Sequence, residues 1–209
     1  MNYKFNKDCF EVVRKALDSN VAEFLYQYLI MKCQVSKTLF KTGYIAPHET
    51  AHGIWNDHQS DNTFSIYGDI AMEVLLTNIK KQVEKISKIK LYETYSYSRL
   101  YKKGDILKKH KDRFSCEIST TLNLGGYLWS FFIETKNKNK VKINLKPGDM
   151  LIYRGNLLFH WRDKLKGKQC GQVFLHYNNI KTKGAKQNKY DGRFHLGLPD
   201  FYKDRAKHE

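Results

Sequence analysis

Three residues of the sequence have the types and the spacing of a metal-binding site. His110 and Asp112 stand two positions apart in ILKKHKD, and His160 lies in the strand-like LLFHWRD. On an extended segment the side chains of residues i and i+2 point to the same face, so the imidazole and the carboxylate converge. Two histidines and one carboxylate are the ligand set of non-haem iron(II) sites that keep coordination positions open. We therefore predict an iron(II) site at His110, Asp112 and His160.

The segment around these residues has the pattern of a β-rich fold. Between residues 91 and 179 the sequence contains about eight short apolar or alternating runs, separated by turn signals such as KKGD and KPGD. This spacing is typical of a sandwich or a jelly-roll barrel. In LYETYSYSRLY the alternation predicts Tyr95, Tyr97, Arg99 and Tyr101 on one face of a strand. GYLWSFFIE and VKINL are predicted to flank a lysine-rich hairpin tip, KNKNK.

Two helices are predicted before residue 90. Residues 10–34 have a helical period, with a break and a new N-cap at Asp18-Ser19-Asn20. Residues 67–88 form the clearest helix, with an apolar stripe opposite a lysine-rich face. The stripe consists of Ile70, Val74, Leu75, Ile79, Val83 and Ile86. We expect both helices to cover one face of a sheet.

Together these elements predict an α+β, mainly β fold. We expect a double-stranded β-helix (jelly roll, cupin-like) with N-terminal helices packed on one sheet. The sequence shows neither an internal repeat nor a linker, which predicts one domain over residues 1–209. Its parts are a helical N-terminal part over 1–90, a β-barrel core over 91–179 and a basic C-terminal tail over 180–209 that wraps the surface.

The charge of the chain permits more than one interpretation. The formal net charge is +16, from 37 Lys+Arg against 21 Asp+Glu. A field this positive attracts anions such as nucleic acid. The lysines are spread along the whole chain, however, which also fits a compositional bias on a solvated surface. Both interpretations stay open at this point.

Composition also bears on the compartment. No apolar run is long enough to cross a bilayer, and MNYKFNKDCF does not have the pattern of a secretion signal. We therefore expect a cytoplasmic protein without a membrane partner. The scattered cysteines Cys9, Cys33, Cys116 and Cys170 form no CxxC pair, which predicts free thiols.

Three segments resemble the prolyl-4-hydroxylase-like branch of the 2-oxoglutarate/iron(II)-dependent dioxygenases, especially small phage-encoded members. They are YSYSRLYKKGDILKKHKDRFSCEISTTLNLGG, LKPGDMLIYRGNLLFHWRD and QVFLHYN. The most specific features are the aromatic-x-x-Gly run from Tyr101 to Gly104 and the Pro-Gly-Asp turn before the strand of His160. The resemblance implies iron(II) bound by the triad, 2-oxoglutarate and dioxygen as cosubstrates, and ascorbate as an optional reductant.

The resemblance also implies how 2-oxoglutarate is held. Tyr101 matches the family tyrosine whose hydroxyl reaches the distal carboxylate of the cosubstrate. Where the family then has a lysine or an arginine, this sequence has Gln169 and Cys170. This departure leaves the distal carboxylate without its family cation, and a buried carboxylate needs one.

Three basic residues are candidates for the missing cation, in the order Arg162, Lys168, Arg99. Arg162 ranks first because strand alternation points it into the same cavity as His160, and its planar fork suits a carboxylate. Lys168 is adjacent to the family position, and Arg99 shares a face with Tyr101. For Arg162, a substrate contact or an ordinary salt bridge remains the alternative.

Several further residues are assigned by position. Arg113, Ser115 and Trp129 are predicted to border the mouth of the barrel on the substrate side. His176 is predicted to be a packed histidine or one that supports a metal ligand. His48 to His52 spell HExxH, but this zinc-peptidase motif requires a helix. Because Gly53 follows and GYIAP precedes, we predict a loop beside the active-site mouth instead.

The resemblance predicts hydroxylation of a C–H bond in a protein or peptide side chain such as proline. The charge of +16 supports a second hypothesis, oxidation or demethylation of nucleic acid. A third, from a different class, is a non-catalytic basic nucleic-acid-binding protein on the same scaffold. Gln169 at the expected basic position favours this third hypothesis, and the intact triad disfavours it.

Overall fold

The computed structural model describes residues 3–46 and 48–203. The helices are α1 (Phe5–Asp8), α2 (Ser19–Lys41) and α3 (Ile70–Ser87), with short 3₁₀ helices at Phe114–Cys116, Lys189–Gly192 and Asp200–Tyr202. The strands are β1 (Phe10–Val13), β2 (Phe64–Tyr67), β3 (Leu91–Lys102), β4 (Leu107–His110), β5 (Ile118–Gly126), β6 (Phe131–Glu134), β7 (Lys140–Ile143), β8 (Met150–Tyr153), β9 (His160–Arg162) and β10 (Gln169–Asn179).

The strands form two antiparallel sheets. The larger, six-stranded sheet has the order β1-β8-β5-β10-β3-β2, and the smaller, four-stranded sheet has the order β4-β9-β6-β7. Strands β4 and β9 pair with His110 opposite His160. The antiparallel register therefore brings together two histidines that lie far apart in the sequence. This mainly β architecture with few helices is the one that the sequence predicts.

Helices α2 and α3 pack on one face of the larger sheet, as predicted. Leu29 of α2 and Met72 of α3 are fully buried in the same apolar cluster as Leu122 and Val173 of the sheet. A second apolar cluster joins the two sheets. It contains Phe10, Leu107, Phe131, Ile133, Ile143, Leu151 and Tyr153. Removal of this apolar surface from water is the main force that holds the layers together.

The prediction of a helix over residues 10–34 is wrong for its first residues. Phe10–Val13 is strand β1, which pairs with β8 and places Phe10 opposite Tyr153. So short a window does not distinguish a helical from an extended period, and the β-branched Val12 and Val13 suit a strand. The predicted N-cap is correct, since the Asp18 carboxylate accepts a hydrogen bond from the backbone N–H of Asn20 and α2 follows.

The buried face of α3 differs from the predicted stripe. Ile70 and Val74 are 69% and 56% exposed, whereas Met72 and Leu76 are fully buried. The helix turns Glu73 inward because the guanidinium of Arg193, from the C-terminal segment, lies 2.8 Å from its carboxylate. A buried charge with a distant partner cannot be recognised from apolar periodicity. The C-terminal segment therefore contributes buried residues as well as surface.

Two expectations about composition can be compared with the structure. Over residues 3–46 and 48–203, no helix is both long and apolar enough to span a membrane. Cys9, Cys33, Cys116 and Cys170 are free thiols, as predicted.

Candidate metal centre

His110, Asp112 and His160 converge on one point at the end of strands β4 and β9. The Nε2 atoms of His110 and His160 each lie 3.4 Å from Oδ1 of Asp112. Nδ1 of His110 is 2.7 Å from the Lys108 carbonyl oxygen, and Nδ1 of His160 is 3.0 Å from that of Leu158. A proton on each Nδ1, donated to the carbonyl, leaves the lone pair of Nε2 facing the carboxylate. These three residues could hold a divalent metal ion.

The position of Asp112 is fixed by its surroundings. Its backbone N–H donates to the Gly155 carbonyl over 2.9 Å, and its Oδ2 accepts a hydrogen bond of 2.8 Å from the Ser119 hydroxyl. A Cβ at position 155 would collide with Oδ2 of Asp112, so only glycine fits there. Burial alone would raise the pKa of Asp112, but in the protonated state of the histidines the charge of His160 and hydrogen bonds from His110 and His160 hold it well below its usual range. The carboxylate is therefore charged and available as a ligand.

A second group of donor atoms shares Asp112. Asp112, Cys116 and His176 also bring ligand atoms within 4.8 Å of one another. Nδ1 of His176 is 3.0 Å from the Ser119 hydroxyl, which in turn holds Asp112. Burial lowers the pKa of His176 to about 4 and raises that of the Cys116 thiol well above its usual range. A neutral thiol is a poor ligand, so the chemistry favours the His110, Asp112 and His160 set.

A cavity of about 610 Å³ opens beside the triad. One wall is formed by Tyr95, Tyr97 and Arg99, which share a face of β3 as predicted. An adjoining part of the rim comes from the segment that contains HExxH, whose Asp57 contacts Tyr97 and Arg99. Its lining residues are Thr50, Ile54, Asn56, Asp57, His58 and Gln59. The described part of that motif is turn and irregular backbone, so it lacks the helix that a zinc peptidase needs.

The three residues predicted at the mouth occupy different places. Arg113 lines the cavity and contacts both carboxylate oxygens of Asp191, at 2.8 and 2.6 Å. Ser115 is buried and accepts a hydrogen bond from Arg113. Trp129 is not among the residues that line the cavity; its ring packs against the buried Tyr101 with the centroids 4.8 Å apart. Asp191 was not predicted, because it belongs to a segment that reads as polar surface.

Arg162 lies between the two sheets and has no acidic partner among residues 3–46 and 48–203. It is 1% exposed, and its guanidinium donates to Trp129 O, Gln172 Oε1 and Thr121 Oγ1 at 2.5, 3.0 and 3.4 Å. Its Nε has no hydrogen-bond partner among the residues that the structure describes. Burial lowers the pKa of Arg162. A buried cation surrounded only by neutral groups is the setting that an anionic ligand would stabilise.

The other candidate cations differ from Arg162. Arg99 contacts the Asp57 carboxylate at 2.6 Å and the Tyr101 hydroxyl at 3.3 Å. Burial tends to lower the pKa of Arg99, but Tyr101, Tyr97 and Asp57 raise it overall. Lys168 is exposed, and neither Lys168 nor Arg162 is among the residues that line the cavity, whereas Arg99 is. Of the three, Arg162 is the buried cation without a carboxylate.

Comparisons with known proteins agree on the fold. No protein-family model and no curated protein sequence matches the chain. A prolyl-4-hydroxylase from Pseudomonas putida aligns with a TM-score of 0.62 at 11% identity, over 84% of this chain and 95% of that one. HygX from Streptomyces hygroscopicus, solved with nickel and 2-oxoglutarate bound, aligns with a TM-score of 0.61 at 12% identity, over 85% of each chain.

A third solved structure adds a peptide complex. A prolyl hydroxylase from Trichoplax adhaerens, in complex with a hypoxia inducible factor peptide, aligns with a TM-score of 0.58 at 14% identity, over 85% of this chain and 86% of that one. The chain shares the fold of these proteins. At sequence identities this low the comparisons show a shared fold only. The candidate metal-binding residues of this chain are therefore inferred from its own geometry.

Proposed function

We propose that this chain is a 2-oxoglutarate- and iron(II)-dependent dioxygenase with a double-stranded β-helix fold. The observation that carries the proposal is the arrangement of His110 and His160, whose Nε2 atoms both face Oδ1 of Asp112 at 3.4 Å. Three protein ligands on one side leave further positions for a chelating cosubstrate and dioxygen, which a closed four-ligand zinc site would not offer.

The chain itself orients these ligands. The carbonyl oxygens of Lys108 and Leu158 fix the two imidazole rings, and Ser119 fixes the far oxygen of Asp112. Such outer partners typically contribute 10–100-fold to metal affinity. When bound, iron(II) couples the reduction of dioxygen to the decarboxylation of 2-oxoglutarate to succinate and to oxidation of a substrate C–H bond.

Arg162 is the residue that we propose for the distal carboxylate of 2-oxoglutarate. It stands two residues after His160 on β9, which on an extended strand is a separation of about 7 Å along the same face. That distance is comparable with the length of a five-carbon dicarboxylate. Tyr101, fully buried beside Trp129, would add its hydroxyl. Gln172, two strand positions from Cys170, already holds the Arg162 guanidinium in place.

The substrate class that we propose first is a protein or peptide side chain such as proline. Two of the proteins with this fold are prolyl hydroxylases, one of them in complex with a peptide. The cavity beside the triad has tyrosines along one wall and is large enough for a side chain with its neighbours. Nucleic acid is the second candidate substrate, supported by the net charge of +16.

Succinate formation tests the proposal. Protein loaded anaerobically with iron(II) and 2-oxoglutarate is exposed to air, with and without cell lysate as a source of substrate. The wild type and a His195→Ala control, altered at an exposed histidine, should form succinate, and His110→Ala should not. Wild-type succinate no higher than that of His110→Ala would favour the non-catalytic alternative.

A further inference from the structure

The outer face of the smaller sheet carries aromatic rings next to the metal centre. Because His160 points into the barrel, its neighbours Phe159 and Trp161 point outward. Trp161 pairs with Phe132 across β9 and β6, and their rings stack with centroids 5.6 Å apart. Phe159 is 39% exposed. We use the name lysine–aromatic face for the three aromatic residues Phe132, Phe159 and Trp161 together with Lys109, Lys111 and Lys140.

The three lysines of this face lie over its rings. Nζ of Lys140 is 4.0 Å from the centroid of Phe132, and Nζ of Lys111 is 4.7 Å from that of Phe159. Nζ of Lys109 is 5.1 Å from the centroids of both Phe159 and Trp161. Cationic groups at such distances are attracted by the ring faces.

The charge of the face is unbalanced. Lys109 contacts Glu134, and Lys140 lies 3.6 Å from the exposed carboxylate of Asp163. Lys111 forms no ion pair with any described residue. Further exposed lysines without ion pairs in the described structure follow on the β6–β7 hairpin, namely Lys136, Lys138 and Lys142. The face therefore presents a strongly positive field to any polyanion.

The lysine–aromatic face is continuous with the mouth of the cavity. Lys111 stands between His110 and Asp112 in the chain, lines the cavity and also covers Phe159. A long ligand on the face would therefore pass beside the metal centre. This continuity makes an extended polyanion a better fit than a small anion.

We infer that the lysine–aromatic face binds single-stranded nucleic acid. The flexible lysine side chains would move from the ring faces to the phosphates, and bases would take their place on Phe159 and Trp161, which is how sequence-tolerant single-strand sites work. In a duplex the base faces are already stacked, and an acidic peptide would pair with the lysines without offering a base to the rings. The binding is independent of the proposed oxidation, since neither the metal ligands nor Arg162 belong to the face.

The first test compares two variants with the same loss of charge. Binding of a fluorescein-labelled oligothymidylate is measured by anisotropy over a range of salt concentrations. Lys111→Ala/Lys140→Ala/Lys142→Ala, which removes two lysines of the face and one of the adjoining hairpin, should bind at least about tenfold more weakly than wild type. Its salt slope should be shallower by about 2, because each single-strand phosphate contact contributes about 0.7. The matched control replaces the exposed Lys37, Lys81 and Lys85 of α2 and α3 with alanine and should change both quantities far less.

The second test isolates stacking. Phe159→Ala keeps every charge and should weaken oligothymidylate binding about tenfold, because one stacked base contributes roughly 1–3 kcal/mol. His110→Ala should bind like wild type, so loss of oxidation and loss of binding can be told apart. Circular dichroism and thermal unfolding verify that each variant folds.

Three outcomes would overturn the inference. The first is equal weakening by the face and control triple variants, which would assign binding to overall charge. The second is an unchanged affinity in Phe159→Ala, which would exclude stacking. The third is equal affinity for duplex DNA or polyglutamate, which would make the face a general anion surface.

Discussion

Two buried arginines come from different sheets and have opposite electrostatic settings. Arg99 on β3 contacts the carboxylate of Asp57 at 2.6 Å, whereas Arg162 on β9 donates only to neutral oxygens. Burial of a charge costs several kcal/mol unless a partner compensates for it. The contrast suggests that Arg99 stabilises the fold, whereas Arg162 is placed for an anionic ligand.

The largest difference between the two arginines is expected in protein stability when each charge is removed in turn. Arg99→Met leaves the buried Asp57 carboxylate without its cation and should lower the free energy of unfolding by about 3–5 kcal/mol. Arg162→Met removes a buried charge without a carboxylate partner but leaves the oxygens that it contacts without a donor, so it should lower the free energy of unfolding by clearly less than Arg99→Met. Urea unfolding of both variants, with Lys81→Met as a control at an exposed lysine that has no ion pair in the described structure, measures the difference. Equal destabilisation by both would contradict the assigned roles.

The affinity for 2-oxoglutarate should depend more on Arg162 than on Arg99, which is the reverse of their expected effects on stability. Arg162→Met should weaken 2-oxoglutarate binding by about 2–5 kcal/mol, since it removes the buried cation for the distal carboxylate. Metal affinity should stay near that of the wild type, because Arg162 contacts none of the three proposed ligands. Anaerobic titrations of iron(II) and then of 2-oxoglutarate measure the two steps separately. If Arg162→Met bound 2-oxoglutarate with wild-type affinity, the distal carboxylate would have to be bound by Lys168 or Arg99 instead.

Substitution of Ser119 tests the metal site, and its expected effect is smaller. Ser119→Ala removes the hydroxyl that holds Oδ2 of Asp112 and contacts Nδ1 of His176. We expect metal affinity to fall about 10–100-fold, with 2-oxoglutarate binding to the metal-loaded protein little changed. Thr120→Ala, on the same strand, is the control. A drop of equal size in both variants would point to a general loss of packing in β5.

The smallest expected effect concerns the rim of the cavity. Burial alone would raise the pKa of Asp191, but Arg113 lowers it from the model peptide value of 3.8 to about 2. The folded-state pKa is depressed, so this stabilisation is present above about pH 4 and is lost as pH falls through about 2. Because Arg113 is half exposed, we expect about 1–2 kcal/mol.

Asp191→Asn is the variant that measures this contribution. Its unfolding free energy should be lower than that of the wild type at pH 7, and the difference should shrink as the pH approaches 2. Asp163→Asn, at an exposed carboxylate, provides the control. A difference that stays constant with pH would show that the Arg113–Asp191 contact does not depend on the charge of Asp191.

Local patterns were enough to predict much of the fold and the proposed metal ligands. The HxD spacing and strand alternation act over two residues, so His110, Asp112 and the shared face of Tyr95, Tyr97 and Arg99 could be recognised from the sequence. The hairpin around KNKNK and the two helices on one sheet follow from the same local rules.

Contacts between distant segments were not predictable. Asp57 and Asp191 come from a loop and a tail that look like polar surface, yet each neutralises an arginine of the cavity. The burial of Glu73 depends on Arg193, which is 120 residues away in sequence, and this pair shifts the buried face of α3. Periodicity assigns charges to solvent, so it fails where a charge is buried against a remote partner.

The most direct test of the proposed metal and 2-oxoglutarate site is an experimental structure with iron(II), or a redox-inert substitute, and 2-oxoglutarate bound. We expect the ion on Nε2 of His110, Nε2 of His160 and Oδ1 of Asp112, and the distal carboxylate of 2-oxoglutarate on the Arg162 guanidinium. An ion bound instead by Asp112, Cys116 and His176, or a carboxylate held by Arg99 or Lys168, would contradict this account of the site.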